Sequence, residues 1–156
     1  MEHNSSAEQP YNQPYSQPEK KKGRILILDQ DDSTCEFLSS IIKLIGLEFD
    51  WVKDVNQAME LLEKTVFDLL ITDVTLPNTQ QFVEASREKH PHLQTIIMVI
   101  QRRVFFEAMR LPGAAFIQKP FNFDDIVKII HQAIHHRNQQ QVETQIQRLR
   151  HDLFRL

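Results

Sequence analysis

Three charged side chains along this chain each come at the end of a short apolar run. Asp29 follows Ile25–Leu28, Asp73 ends a second run and Lys119 follows a third. Carboxylates suit a hard cation such as Mg2+, which prefers oxygen ligands, and lysine offers a point charge to phosphate. A carboxylate can also act as the nucleophile and form an aspartyl phosphate. If the fold brings them together, these residue types predict a site for a phosphoryl group and a divalent cation.

The segments around these residues alternate between apolar runs of strand length and stretches with helical spacing. Short continuous apolar runs are typical of strands that are buried on both faces. Five such strand–helix units predict an α/β fold, with a doubly wound five-stranded parallel sheet between layers of helices. Sites in such sheets form at the carboxyl ends of the strands, where all three charged residues fall. Strands are predicted at residues 25–28, 49–52, 68–73, 95–100 and 114–118, each followed by a helix, the fourth helix around residues 102–111.

The ends of the first two helices carry recognisable signals. Ser33 with Glu36 forms the pattern of a capping box, and Gly46 stands where a glycine commonly ends a helix. Asp54 with Gln57 has the same spacing as the first pair and predicts the start of the second helix.

The chain divides into three regions by composition. Residues 1–22 are rich in Pro, Gln, Asn and Ser and predict a disordered polar tail. Residues 23–136 hold the strand–helix pattern and predict one domain. Residues 137–156 are rich in Gln and continue the last helical pattern without Pro or Gly, which predicts a helical extension.

The extension carries an apolar seam, with residues spaced alternately four and three apart as in the a and d positions of a short coiled coil. One interpretation is a helix that folds back on its own domain. The other is a helix that forms a homodimer or binds a partner, which we favour because so regular a seam needs another surface to bury it. The seam residues are Val142, Ile146, Leu149, Leu153 and Leu156.

Composition narrows the classes of protein further. The 156 residues suffice for one domain with flanking segments. The net charge of -3 gives no reason to expect nucleic-acid binding, because proteins that bind nucleic acids usually carry an excess of basic residues. Cys35 is the sole cysteine, so we expect no intramolecular disulfide and an intracellular, cytoplasmic location. No apolar run approaches the roughly 20 residues of a membrane helix, so no membrane contact is expected.

The motifs together resemble the receiver domains of bacterial response regulators over roughly residues 24–136. The resemblance implies a flavodoxin-like sheet order and a signalling module rather than an enzyme. It also implies that Asp73 takes a phosphoryl group from a histidine kinase or phosphotransfer protein, with Mg2+ bound nearby and a downstream protein partner. Lys119 would pair with the phosphorylated aspartate, and its bond to Pro120 would be cis. The motifs are Asp29 after Ile25–Leu28, Phe67–Asp73 before Leu76-Pro77, and Gly113-Ala114 leading to Lys119-Pro120-Phe121.

The metal site departs from the family pattern at one position. Two adjacent acids normally follow the first strand, and the second is a direct metal ligand, but here that position holds Gln30. A unit charge pair at about 4 Å is worth about 4 kcal/mol at an effective dielectric of 20. Even after a heavy discount for solvation, the loss of this charge weakens Mg2+ binding by about tenfold or more. Asp31 is the nearest replacement ligand, but its side chain is expected to point elsewhere in the loop.

The parts that read out phosphorylation also depart from the pattern. The hydroxyl residue that ends the fourth strand in the family is replaced here by Val99 or Ile100, neither of which has a side-chain donor. Phe116 takes the position of the rotating aromatic residue on the fifth strand. Two hypotheses therefore stay open: a phosphorylated receiver, and a degenerate receiver that acts as an adaptor or dimerisation module without phosphorylation.

An enzyme hypothesis rests on a single motif. Asp29-Gln30-Asp31 after an apolar strand also fits the start of haloacid-dehalogenase-like phosphatases, whose nucleophile and acid lie two residues apart. Those enzymes need a further acid pair at the end of a later strand. Asp124-Asp125 instead opens the last helix, so this hypothesis is the weakest of the three.

Overall fold

The computed structural model of this chain describes residues 23–100 and 114–153. The predicted tail at 1–22, the predicted helix around residues 102–111 and the last seam residue, Leu156, lie outside them. Strands and helices alternate through the described residues. Their bounds are β1 Arg24–Leu28, α1 Asp32–Leu44, β2 Glu48–Val52, α2 Val55–Lys64, β3 Leu69–Asp73, α3 Thr79–Lys89, β4 Gln94–Val99, β5 Ala115–Gln118 and α4 Phe123–Leu153.

The five described strands form one parallel sheet in the order β2-β1-β3-β4-β5. This confirms the flavodoxin-like order implied by the resemblance. In β1, Ile25–Leu28 are fully buried, as expected for a strand covered by helices on both faces. The register pairs Leu28 with Thr72, so Asp29 and Asp73 come at adjacent strand ends.

The core has two layers, one on each face of the sheet. On one face, α2 and α3 pack against the sheet through Ala58, Leu62, Phe82 and Val83. On the other face, α1 and α4 contribute a second set of buried apolar residues. Each fully buried Leu or Ile stabilises the fold by about 1.5–3 kcal/mol, so these two layers hold the strand ends in place. The second set consists of Cys35, Leu38, Ile41, Ile42, Ile126 and Ile130.

The beginning of α1 differs from the sequence prediction. The helix begins at Asp32 with Asp31 as its N-cap, so the predicted capping box at Ser33 and Glu36 is wrong. The Asp31 carboxylate accepts a hydrogen bond from the Ser33 N–H at 3.2 Å and from the Thr34 hydroxyl at 2.6 Å. An aspartate two residues earlier satisfies the free N–H groups of the first turn, which leaves Ser33 inside the helix.

The other two helix signals are confirmed. Gly46 follows α1 with a positive φ of 80°, which glycine adopts without steric cost. The Asp54 carboxylate accepts a hydrogen bond of 2.8 Å from the Gln57 N–H and caps α2.

The last helix is fixed to the amino end of the sheet by a buried arginine. Arg137 is 6% exposed; its Nε forms an ion pair with the Asp68 carboxylate, and Nη1 donates to the His92 carbonyl at 2.9 Å. The other Asp68 oxygen accepts from the Arg24 N–H at 2.8 Å. Beyond this point α4 continues to Leu153. Within the described part of the chain, no helix is long and apolar enough to cross a membrane.

Candidate functional site

A single ammonium group joins the two buried aspartates at the carboxyl ends of the strands. Lys119 Nζ lies 2.6 Å from Asp29 Oδ2 and 2.7 Å from Asp73 Oδ2. Asp29 is 2% exposed and Asp73 is 3% exposed. One positive and two negative side chains thus share a site that water reaches poorly, and the cluster carries an uncompensated negative charge.

Asp29 is held in place by the strands and the loop around it. Its backbone N–H donates to the Val52 carbonyl at 3.2 Å, and the indole Nε1 of Trp51 donates to its carbonyl oxygen at 3.0 Å. The Asp31 N–H donates to Asp29 Oδ1 at 3.0 Å. Both carboxylate oxygens are therefore bound, one to the loop and one to Lys119.

Asp73 is oriented by Thr75, a residue that the sequence analysis missed. The N–H and the hydroxyl of Thr75 both donate to Asp73 Oδ1, each at 2.7 Å. An aspartate that accepts from the backbone two residues later forms a common local turn, so an Asp-x-Thr sequence after a strand was a usable signal. This turn fixes Oδ1 and leaves Oδ2 to Lys119.

Asp73 and Lys119 hold each other in their ionised forms. Burial alone would raise the pKa of Asp73, but hydrogen bonds from Lys119 and Thr75 outweigh burial and lower it below its usual value. Burial would likewise lower the pKa of Lys119, but its bonds to Asp29 and Asp73 raise it instead. At neutral pH the site therefore presents an ionised Asp73 carboxylate beside a protonated lysine.

Of the acids expected near a metal ion, two point into the site and one points away from it. Asp29 and Asp73 converge on Lys119, whereas the exposed Asp31 carboxylate is bound to the first turn of α1. The hydrogen bond from Thr34 is the main cause that lowers the pKa of Asp31. Gln30 is exposed and lines the same cleft as Asp29. Across residues 23–100 and 114–153, no group of three or more His, Cys, Asp or Glu side chains is arranged to hold a metal ion.

The cluster opens into a cleft of about 660 Å3. Polar and apolar side chains both line it, and Phe37 and Phe121 contact each other there with ring centroids 5.9 Å apart. The peptide bond between Lys119 and Pro120 is cis, as the resemblance implied. A small anionic group entering this cleft would meet Asp73, Thr75 and Lys119 at its base.

The two proposed switch positions lie deeper than the cleft. Val99 is buried among the core residues under α2 and α3, and its carbonyl accepts from the Lys119 N–H at 2.7 Å. Phe116 is partly buried and packs against the same core layer. Ile100, the other residue considered at this strand end, is 49% exposed and lines the cleft. An apolar side chain therefore stands beside the buried cluster at this point.

The remaining predicted residues do not join the cluster. Val142, Ile146, Leu149 and Leu153 lie exposed on the distal part of α4. Cys35 is buried in the core, and burial raises the pKa of its thiol to about 12, which makes it unreactive.

Comparison with known proteins agrees with this geometry. The family model described as "Response regulator receiver domain" matches residues 25–131. The chain is similar to the response regulator protein FleR of Pseudomonas aeruginosa, with 30% identity over 69% of this chain and 24% of that protein. It is also similar to the transcriptional regulator NtrC of Escherichia coli, with 24% identity over 81% of this chain and 28% of that protein. The chain thus spans about a quarter of the length of these curated relatives.

Solved structures share the fold at lower sequence identity. A CheY-like receiver domain protein from Methanospirillum hungatei superposes with a TM-score of 0.68 at 22% identity, covering 76% of this chain and 98% of that one. NtrX from Brucella abortus superposes with a TM-score of 0.73 at 19% identity, covering 80% of this chain and 29% of that one.

Proposed function

This chain belongs to the response regulator receiver domain family, and we propose that Asp73 accepts a phosphoryl group from a histidine kinase or phosphotransfer protein. The observation that carries the proposal is the contact of 2.7 Å between Lys119 Nζ and a buried Asp73 carboxylate that opens into a cleft. Burying charged groups is costly even when they are paired, and such clusters are concentrated at functional sites. The cleft gives a phosphoryl group access to this one.

The geometry suggests a role for each group in the transfer. Thr75 holds Asp73 Oδ1, so the carboxylate is oriented before the donor arrives. An Asp73 oxygen attacks phosphorus, and the new O–P bond forms as the P–N bond to the donor imidazole breaks, with the electron pair leaving on nitrogen. Lys119 stays protonated and neutralises charge on the transferred group.

Receiver domains generally bind Mg2+ at the phosphorylation site, and the residues here fit a weakened version of that site. Asp29 and Asp73 both reach one Lys119 nitrogen, so their carboxylates converge on the same point of the cleft. Mg2+ is often held by one or two carboxylates together with water. Asp29 and Asp73 would hold the ion, which when bound supplies positive charge to the phosphoryl oxygens.

A second candidate function is an adaptor that signals through protein contact without phosphorylation. The observations that favour it are the neutral Gln30 and the apolar Ile100 at the cleft. In this case Lys119, Asp29 and Asp73 stabilise the domain, and its surface serves a downstream partner in one constant state.

Intact mass after incubation with acetyl phosphate and Mg2+ distinguishes the two functions. We expect the wild type to gain one phosphoryl group, and Asp73→Asn to gain none. Asp32→Asn is the matched control, because Asp32 is an exposed acid at the start of α1, where it pairs with Lys53. It should gain the group as the wild type does. An unmodified wild type, or an Asp73→Asn variant modified to the same extent, would contradict phosphorylation of Asp73.

A further inference from the structure

The distal part of α4 exposes a row of apolar side chains that we call the stripe: Val142, Ile146, Leu149 and Leu153. Their exposed fractions are 54%, 44%, 60% and 76%. Four large apolar side chains in one row on a solvated helix are unusual, and such rows commonly mark an interaction surface.

The stripe faces away from the domain to which its helix belongs. The domain side of α4 is marked by Ile126, Ile130 and Arg137, which are buried. Because α4 is continuous from Phe123 to Leu153, a rotation of about 100° per residue puts the centre of the stripe about 150° from that row. The stripe therefore cannot pack on its own domain while α4 stays bound to the sheet through its buried residues. Only a separate surface can cover it.

We propose that the stripe pairs with the stripe of a second copy of this chain as an antiparallel two-stranded coiled coil. The spacing places Ile146 and Leu153 at a positions and Val142 and Leu149 at d positions. In the antiparallel arrangement each a residue meets a d residue. Val142 then packs on Leu153 of the second copy and Ile146 on Leu149 of the second copy, and each contact occurs twice by symmetry.

Charged residues beside the stripe select the antiparallel direction. Glu143 and Arg150 both occupy e positions. In an antiparallel pair, Glu143 lies beside Arg150 of the second copy, which gives two opposite-charge contacts. In a parallel pair, the same spacing puts Glu143 beside Asn138 and Arg150 beside Gln145, with no opposite-charge contact. The apolar stripe can pair in either direction, and the charges beside it favour the antiparallel one.

Light scattering on the 156-residue chain tests association. We expect a mass of twice the 18.4 kDa of one chain. Ile146→Asp should raise the dissociation constant at least tenfold, and Gln147→Asp, one residue along on the exposed helix, should leave it within about twofold. Ile146 is exposed in one copy, so circular dichroism should show both variants folded. A monomeric wild type, or equal losses in the two variants, would overturn the proposal.

Disulfide trapping tests the direction. Val142→Cys and Leu153→Cys chains, mixed and oxidised, should form the mixed disulfide, whereas Val142→Cys alone should form little. Cys35 does not compete, because it is buried and its thiol pKa is raised to about 12. Efficient homodisulfides of Val142→Cys alone, with little mixed product, would show a parallel pair and overturn the antiparallel assignment.

Charge reversal tests the same direction without cysteine. Arg150→Glu should weaken the dimer severalfold, because it places two glutamates side by side twice, and adding Glu143→Arg should restore wild-type affinity. Arg148→Glu is the matched control, since it makes the same charge change on the opposite face of the helix. Weakening by Arg148→Glu equal to that by Arg150→Glu would contradict the predicted pairing. None of these tests depends on phosphorylation of Asp73.

Discussion

The two ends of the sheet each hold a cation bound to carboxylate, Arg137 being buried and Lys119 partly buried. The two clusters also differ in composition. At the carboxyl end, Lys119 lies between Asp29 and Asp73 and faces the cleft. At the amino end, Arg137 pairs with Asp68 and also donates to the carbonyl oxygen of His92. Both clusters join an element late in the chain to β-strand ends far away in sequence.

Charge balance separates the two clusters. Arg137 and Asp68 cancel each other, and the planar guanidinium is well suited to a carboxylate and a carbonyl together. Lys119 faces two acids, so the carboxyl-end cluster keeps a negative charge, and an ammonium can exchange oxygen partners readily. The amino-end cluster is thus expected to contribute mainly to stability, and the carboxyl-end cluster mainly to ligand binding.

The largest predicted effect is on the stability contributed by the amino-end cluster. Asp68→Asn leaves a buried arginine without its counter-charge, so the free energy of unfolding should fall by about 3 kcal/mol, the low end for such a change because 24% of the Asp68 side chain is exposed. Urea denaturation followed by circular dichroism measures the change. Asp50→Asn is the control: its contact with Arg24, at 3.5 Å, is more exposed, and its loss should cost less than about 1 kcal/mol. Similar losses of unfolding free energy in both variants would mean that the buried Arg137–Asp68 pair contributes no more than an exposed ion pair.

The next effect concerns metal binding by the carboxyl-end cluster. Gln30→Asp restores a charge where the family has an acid, so the affinity for Mg2+ should rise about tenfold or more. Titration calorimetry on the wild type and the variant measures it. Gln80→Asp adds the same charge on the exposed surface of α3 and should change the affinity little. No difference between the two variants would mean that position 30 does not contact the ion.

The smallest effect is the contribution of Asp73 to stability. Asp73→Asn should lower the free energy of unfolding by less than about 1 kcal/mol. Lys119 keeps its bond to Asp29, and the removal of a buried charge offsets part of the lost interaction. Since the pKa of Asp73 is lowered in the folded state, ionised Asp73 stabilises the fold above its unfolded pKa of about 3.9, and this contribution is lost as the pH falls through the lower folded pKa.

Urea denaturation of both proteins between pH 7 and pH 2.5 checks this dependence. The wild-type advantage over Asp73→Asn should be constant above about pH 5 and should disappear in acid. If the stability difference between the wild type and Asp73→Asn instead grew as the pH fell, the pKa of Asp73 would be raised in the folded state and not lowered.

Much of the fold followed from local patterns. Ile25–Leu28 is apolar at every position and too short for a helix, so a strand buried on both faces was the natural interpretation. Asp54 and Gln57 marked the start of α2 because capping involves neighbours in sequence. Ser33 and Glu36 show the limit of that rule, since Asp31 satisfies the same N–H groups two residues earlier.

The sequence by itself determined which residues end the strands, because strand periodicity and helix caps depend on neighbours along the chain. Asp29, Asp73 and Lys119 were identified in that way. Only the tertiary structure decided that one ammonium joins both acids, that Ile100 and not Val99 lines the cleft, and that Arg137 is buried against Asp68. Those contacts join residues as many as 90 positions apart. They depend on strand register and helix rotation, which no local pattern fixes.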